Sequence, residues 1–128
     1  KTRKINKKLK VLGVSVLTSL NNKSLKEIGY TKNAEQLVLK QAKLIKKSGC
    51  DGIVCSAHEA KDVRKKYKNL FIVTPGIRLP NDKFNDQSRV MTPLNAFKNN
   101  VSGVVMGRSI TKNNIKKNIK KLINHLSQ

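Results

Sequence analysis

An α/β fold on a parallel sheet is predicted for this chain of 128 residues. Two observations predict it: four short apolar runs rich in β-branched residues, and a helix-like stretch between each run and the next and after the last. The connections are also long enough for the crossovers that parallel strands require, and too long for hairpin turns.

The first run, "KVLGVSVL" (Lys10–Leu17), is apolar and suited to a strand buried on both faces. The polar stretch "TSLNNKSLKEIGYTKN" follows it. A helix is then predicted from Ala34 to about Ser48, with Leu37, Val38, Ala42 and Ile45 on its apolar stripe and Gly49 as its C′ residue. "GIVC" (Gly52–Cys55) gives the second strand. Ser56 and Glu59 have capping-box spacing, so Ser56 is expected to accept from the Glu59 amide while the Glu59 carboxylate reaches back to the Ser56 N–H. The helix that follows runs from Glu59 to Tyr67, and "LFIVT" (Leu70–Thr74) is the third strand. After a long polar loop, Thr92 is an N-cap with Pro93 at N1, opening a short helix to about Asn99. "GVVMG" (Gly103–Gly107) is the fourth strand, and Asn113–Leu126 is an amphipathic helix carrying Ile115, Ile119, Leu122, Ile123 and Leu126. No linker or domain break interrupts the pattern. The four βα units share a plan and not a sequence, which fits the units of a TIM-type (β/α) barrel better than a solenoid.

Charge is the unusual property. The net charge is +21, which points first to a polyanionic partner. Only Arg3, Arg64, Arg78, Arg89 and Arg108 are arginines, however, and the lysines are spread over every predicted helix. With no Trp, two Tyr and three Phe, there is little to stack on bases. Drift toward Lys and Asn accounts for the spread as well as RNA binding does, so nucleic acid is not the expected partner. Cys50 and Cys55 have no histidine or second cysteine pair at a metal-like spacing, so no metal site is expected, and they read as reduced thiols of a cytoplasmic protein. No apolar run is long enough for a membrane span, and the basic N-terminus lacks the apolar core of a secretory signal. The chain opens on Lys1 and not on Met, which suggests an upstream segment.

In parallel α/β arrangements ligands meet the C-terminal ends of the strands. That places the loops beginning at Thr18, Ser56, Thr74 and Gly107 on one rim. Pro75-Gly76 allows a sharp turn off the third strand, from which Arg78 is expected to project above the rim. Gln87 and Arg89 close the same loop. After the fourth strand, Gly107 permits close backbone approach, Arg108 offers a planar fork for phosphate oxygens, and N–H groups ahead of a helix favour an anion. Each feature alone has a bland reading: a solvated arginine, a glutamine tied to backbone, a glycine in a turn. Their placement on two successive strand ends argues for a phosphate site.

"VLGVSVLTSL", "GCDGIVCSAHEA", "FIVTPGIRLPNDKFNDQSRVMTPLNAF" and "GVVMGRSIT" resemble, in order and spacing, the C-terminal half of the orotidine 5′-phosphate decarboxylase family of bacterial type. The combination of TPGIR, DQxRVMTP and GRxIT is specific where no single motif is. The resemblance implies half of an eight-stranded barrel and a substrate-binding set of Thr18, Arg78, Gln87, Gly107 and Arg108. Arg108 with the Gly107–Arg108 backbone would hold the 5′-phosphate, Arg78 would anchor the same side, Gln87 would bridge phosphate and pyrimidine, and Thr18 would line the base or ribose. His58 reads as a rim residue, and the Ser56 cap is explanation enough for Ser56. The family's catalytic Asp-x-Lys-x-x-Asp cluster precedes the region matched, so no catalytic residue is expected in this chain. Neither metal nor organic cofactor is implied. The implied partners are orotidine 5′-phosphate and either a second copy, since family members are dimers, or an N-terminal half-barrel. A four-stranded half would leave two open edges and an apolar inner face. The competing readings are a related sugar-phosphate decarboxylase barrel and a catalytically silent remnant that binds a nucleotide or RNA.

Overall fold

The computed structural model describes residues 2–80, 82 and 89–128. After a one-turn helix α1 (Thr2–Ile5), the elements are β1 (Leu12–Val14), α2 (Asn22–Glu27), α3 (Ala34–Lys47), β2 (Gly52–Val54), α4 (Ala57–Lys66), β3 (Phe71–Thr74), α5 (Pro93–Lys98), β4 (Gly103–Val104), α6 (Arg108–Thr111) and α7 (Ile115–Leu126). The four strands form one parallel sheet in sequence order. The fold is a partial (β/α) barrel, as the sequence predicts.

Register divides the sheet into two faces. Gly13, Ile53 and Ile72 lie side by side. Ile53 and Ile72 are fully buried with Val38, Ala42, Ala60 and Val63 of α3 and α4. A Cβ on Gly13 would press into Ile45 of α3, which confirms that this row faces the helices. The neighbouring rows face the other way: Val14 is 63% and Phe71 51% exposed. That second face is the inner wall of the barrel.

The strands are shorter than predicted at both sheet edges. β1 begins at Leu12 because the Asp51 carboxylate takes the Val11 N–H at 2.7 Å. It ends at Val14 because Val16 and Leu17 leave the ladder and give their carbonyls to Arg89. β4 ends at Val104 and not at Gly107; one further ladder bond, from the Val105 N–H to the Thr74 carbonyl, follows before the chain turns off.

Two helices lie where the sequence reading placed polar connections. In α2, Asn21 caps Ser24 at 2.9 Å, Leu25 is buried, and Gly29 sits at φ +91°. α6 is a single turn directly after β4. The predicted end of α3 is met: Gly49, at φ +73°, donates to the Lys46 carbonyl and Cys50 donates to that of Ile45, a Schellman motif. Thr92 and Pro93 open α5 as expected. Arg64 straps the base of β3 to the connection before β4, donating to the carbonyls of Lys68, Leu70 and Asn100 and to Ser102 Oγ.

Among the described residues no helix is long and apolar enough to cross a membrane.

Candidate functional site

The C-terminal ends of β1, β2 and β3 are knitted together by the segment that returns to α5. Ile77 and Met91 form a parallel bridge, with Arg78 N–H to the Met91 carbonyl at 3.0 Å and Met91 N–H to the Gly76 carbonyl at 3.2 Å. Gly76 makes this possible. Its φ is +75°, and an added Cβ would lie 2.9 Å from the Arg89 carbonyl oxygen and 3.3 Å from the Thr18 side chain. The turn off β3 therefore needs a glycine for its conformation and for its closeness to two neighbours.

Thr18 is buried at this crossing, and its carbonyl accepts from the Arg89 N–H at 3.2 Å. Arg78 departs from expectation. It does not project above the rim but is 8% exposed, because the Met91 bridge lays the returning segment along its backbone. Its Nη1 donates to the Ile77 carbonyl at 3.0 Å, while its Nε is buried without a hydrogen-bond partner among the described residues. A buried guanidinium N–H left unpaired among the described residues is costly, and a hydrogen-bond acceptor would relieve that cost. Gln87 lies outside the described residues.

Gly107 and Arg108 are exposed at the head of α6, on the same strand-end side of the sheet. Gly107 has no side chain to cap that turn, whose later N–H groups, from Ile110 and Thr111, return to the Gly107 carbonyl. Beside them the hydroxyl of Ser109 is buried with no hydrogen-bond partner among the described residues.

The capping box is corrected. Ser56 does cap α4, but Oγ accepts from His58 N–H at 3.3 Å, and the Glu59 N–H goes to the Ser56 carbonyl. The Glu59 carboxylate turns away to Arg89, 2.5 Å from Nη1, because a full guanidinium is a stronger partner than one backbone amide. Burial pushes the Glu59 carboxyl above its ordinary value, with the Arg89 charge the main opposing influence. His58 is an exposed rim residue, as expected, donating through Nε2 to the Val90 carbonyl at 3.1 Å. Cys55, beneath this cluster, is pushed up to about 12, by burial first and the Glu59 charge second. A groove near Leu12, Asp51 and Phe71 opens at the opposite end of the strands and holds none of the candidate residues.

A partial (β/α) barrel with arginines and glycines gathered at its strand ends has the architecture of barrel proteins whose ligands meet the C-terminal rim. Within that class, the chain belongs to the orotidine 5′-phosphate decarboxylase / HUMPS family, whose profile matches residues 1–122. An orotidine 5′-phosphate decarboxylase of Wolbachia pipientis subsp. Culex pipiens (strain wPip) is 46% identical over 106 residues, which make up 82% of this chain and 46% of that protein. One from Coxiella burnetii (strain RSA 493 / Nine Mile phase I) is 45% identical over 102 residues, 79% of this chain and 43% of that one. The crystal structure of the Lactobacillus acidophilus orotidine 5′-phosphate decarboxylase superposes with a TM-score of 0.71 at 30% identity, covering 93% of this chain and 50% of the other. The chain thus spans about half the length of the relatives it matches.

Proposed function

We propose that this chain is the phosphate-binding, C-terminal half of an orotidine 5′-phosphate decarboxylase, which converts orotidylate to uridylate and CO2. The observation that carries the reading is Arg78, buried at a strand end with its Nε–H unpaired among the described residues and its backbone locked to the segment that touches Thr18. Arg108 and the Gly107–Arg108 backbone are assigned the 5′-phosphate, Arg78 the same side of the nucleotide, Thr18 the base or ribose, and Gln87 the bridge between phosphate and pyrimidine. The names of the similar proteins favour this enzyme over a sugar-phosphate barrel.

The chemistry requires more than this chain supplies. Breaking the bond to CO2 leaves an electron pair on the pyrimidine carbon, and an ammonium group must stabilise it and deliver the proton. That lysine and its carboxylate partners are assigned to an N-terminal half. The phosphate grip contributes because binding energy from a group remote from the reaction can be used in the transition state.

The test is orotidylate decarboxylation by the purified chain, alone and mixed with a separately made N-terminal half of the Wolbachia relative. Turnover is expected in the mixture only, and Arg108→Ala should weaken it through KM by roughly tenfold or more, the scale of a charge-assisted contact. Turnover by the chain alone would overturn the assignment of the lysine elsewhere. Silence in both samples, together with no uridylate binding, would overturn the reading itself.

A further inference from the structure

The rim is held by a buried charge pair. Arg89 and Glu59 are 11% and 7% exposed in their side chains and joined at 2.5 Å. The rest of the guanidinium goes to the end of β1, where Nη2 lies 3.2 Å from the Leu17 carbonyl and 3.4 Å from that of Val16. The Arg89 N–H takes the next carbonyl, Thr18, at 3.2 Å. Its own carbonyl oxygen occupies the space that the missing side chain of Gly76 leaves open. Two residues later, Met91 bridges to Gly76 and Arg78. One residue therefore contacts the segment after β1, the head of α4 and the turn after β3.

Burying two charges is a poor way to gain stability, since desolvation offsets much of their attraction. It is a good way to fix geometry, because a buried guanidinium tolerates one arrangement of acceptors. We infer that Glu59 and Arg89 are positioning residues, whose ion pair sets Thr18 and Arg78 at the spacing a nucleoside monophosphate requires. The inference rests on the nucleotide-binding reading above. Neither residue touches the ligand; each acts through the backbone it holds. Glu59 orients the guanidinium, the guanidinium fixes the carbonyls of residues 16–17 and the Arg89 backbone fixes that of Thr18, and the Met91 bridge carries the same constraint to Arg78.

The test compares uridylate with uridine as ligands, for the wild-type chain and for Glu59→Gln and Arg89→Lys, each alone and mixed with the N-terminal half. Glu59→Gln keeps size but removes the charge, Arg89→Lys keeps the charge but removes the planar fork, and circular dichroism verifies that the variants fold. A positioning role predicts that the preference for uridylate over uridine falls about tenfold in each variant, the scale of one charge-assisted hydrogen bond. Amide exchange at Arg78 and Met91 gives a second measure and should accelerate in both. An unchanged preference with unchanged exchange overturns the inference and leaves the pair a purely structural contact. A wild-type chain with no preference for uridylate overturns the nucleotide reading instead.

Discussion

Gly76 and Cys55 are the two residues whose roles rest most directly on local physics. Alanine at Gly76 would hold a left-handed backbone conformation and push on the Arg89 carbonyl. Its expected cost is about 1–3 kcal/mol, combining the left-handed penalty with the displaced neighbour. Urea denaturation checks this, and an unshifted midpoint would mean that the turn does not need its glycine. Cys55 is a buried thiol whose value rises from 9.0 to about 12 on folding. The sign follows: its contribution to stability is fully present below pH 9.0 and is lost as pH climbs toward about 12. The stability difference between the native chain and Cys55→Ala should therefore shrink across that window, the titration of the lysines cancelling between the two. At pH 8 a thiol reagent should modify one cysteine, the half-buried Cys50, and reach the second only after denaturation. Gly76 was legible in the sequence as a turn residue. Its closeness to Arg89 was not, because the two are distant in the chain.

At the scale of elements, the glycines discriminate between faces and edges of the sheet. A Cβ at Gly52 would lie 2.1 Å from the Phe71 carbonyl oxygen, between two paired strands. A Cβ at Gly103 meets nothing within 4 Å. In the mixture with the N-terminal half, Gly52→Ala should therefore break the β2–β3 register and abolish the cooperative thermal transition, whereas Gly103→Ala should leave it within a few degrees. Equal effects would show that strand packing does not follow this register. Helix α2 illustrates what patterning misses. It has only Leu25 as a buried anchor, so no apolar stripe announces it, and its signals are the Asn21 cap and Gly29 at C′. The Ser56–Glu59 spacing illustrates the opposite failure. The capping-box pattern is present, yet a guanidinium from a remote segment captures the carboxylate.

For the whole molecule, the inner wall of the sheet decides behaviour. Val14, Phe71 and Val105 are each at least half exposed, on the wall and edges of a partial barrel. Along α7, Ile115, Ile119, Ile123 and Leu126 are also exposed. Apolar surface of this extent, next to the outer edges of β1 and β4, which pair with no strand among the described residues, favours association. The chain by itself is expected to bind a hydrophobic dye and to sediment as a mixture of species. Addition of the N-terminal half-barrel should suppress both. A monomeric chain with a sharp two-state transition and no dye binding would show that the half-barrel is self-sufficient. The charge of +21 acts at this scale too: repulsion between copies weakens their association and is screened by salt, so self-association should grow as salt is added.

The sequence by itself determined the parallel α/β plan, the bounds of α3 and α5 and the motifs that carry the family. Each of these depends on neighbours along the chain: β-branched runs make strands, Thr92 and Gly49 start and stop helices, and TPGIR and GRxIT are contiguous. Tertiary structure alone decided that Arg78 is buried, that β1 ends at Val14 and that Glu59 pairs with Arg89. The physical reason is common to all three. A buried charge or a free carbonyl goes to whichever partner the fold brings within reach. Arg89 reaches Glu59, Leu17 and the turn at Gly76 only once three strand ends have been set side by side.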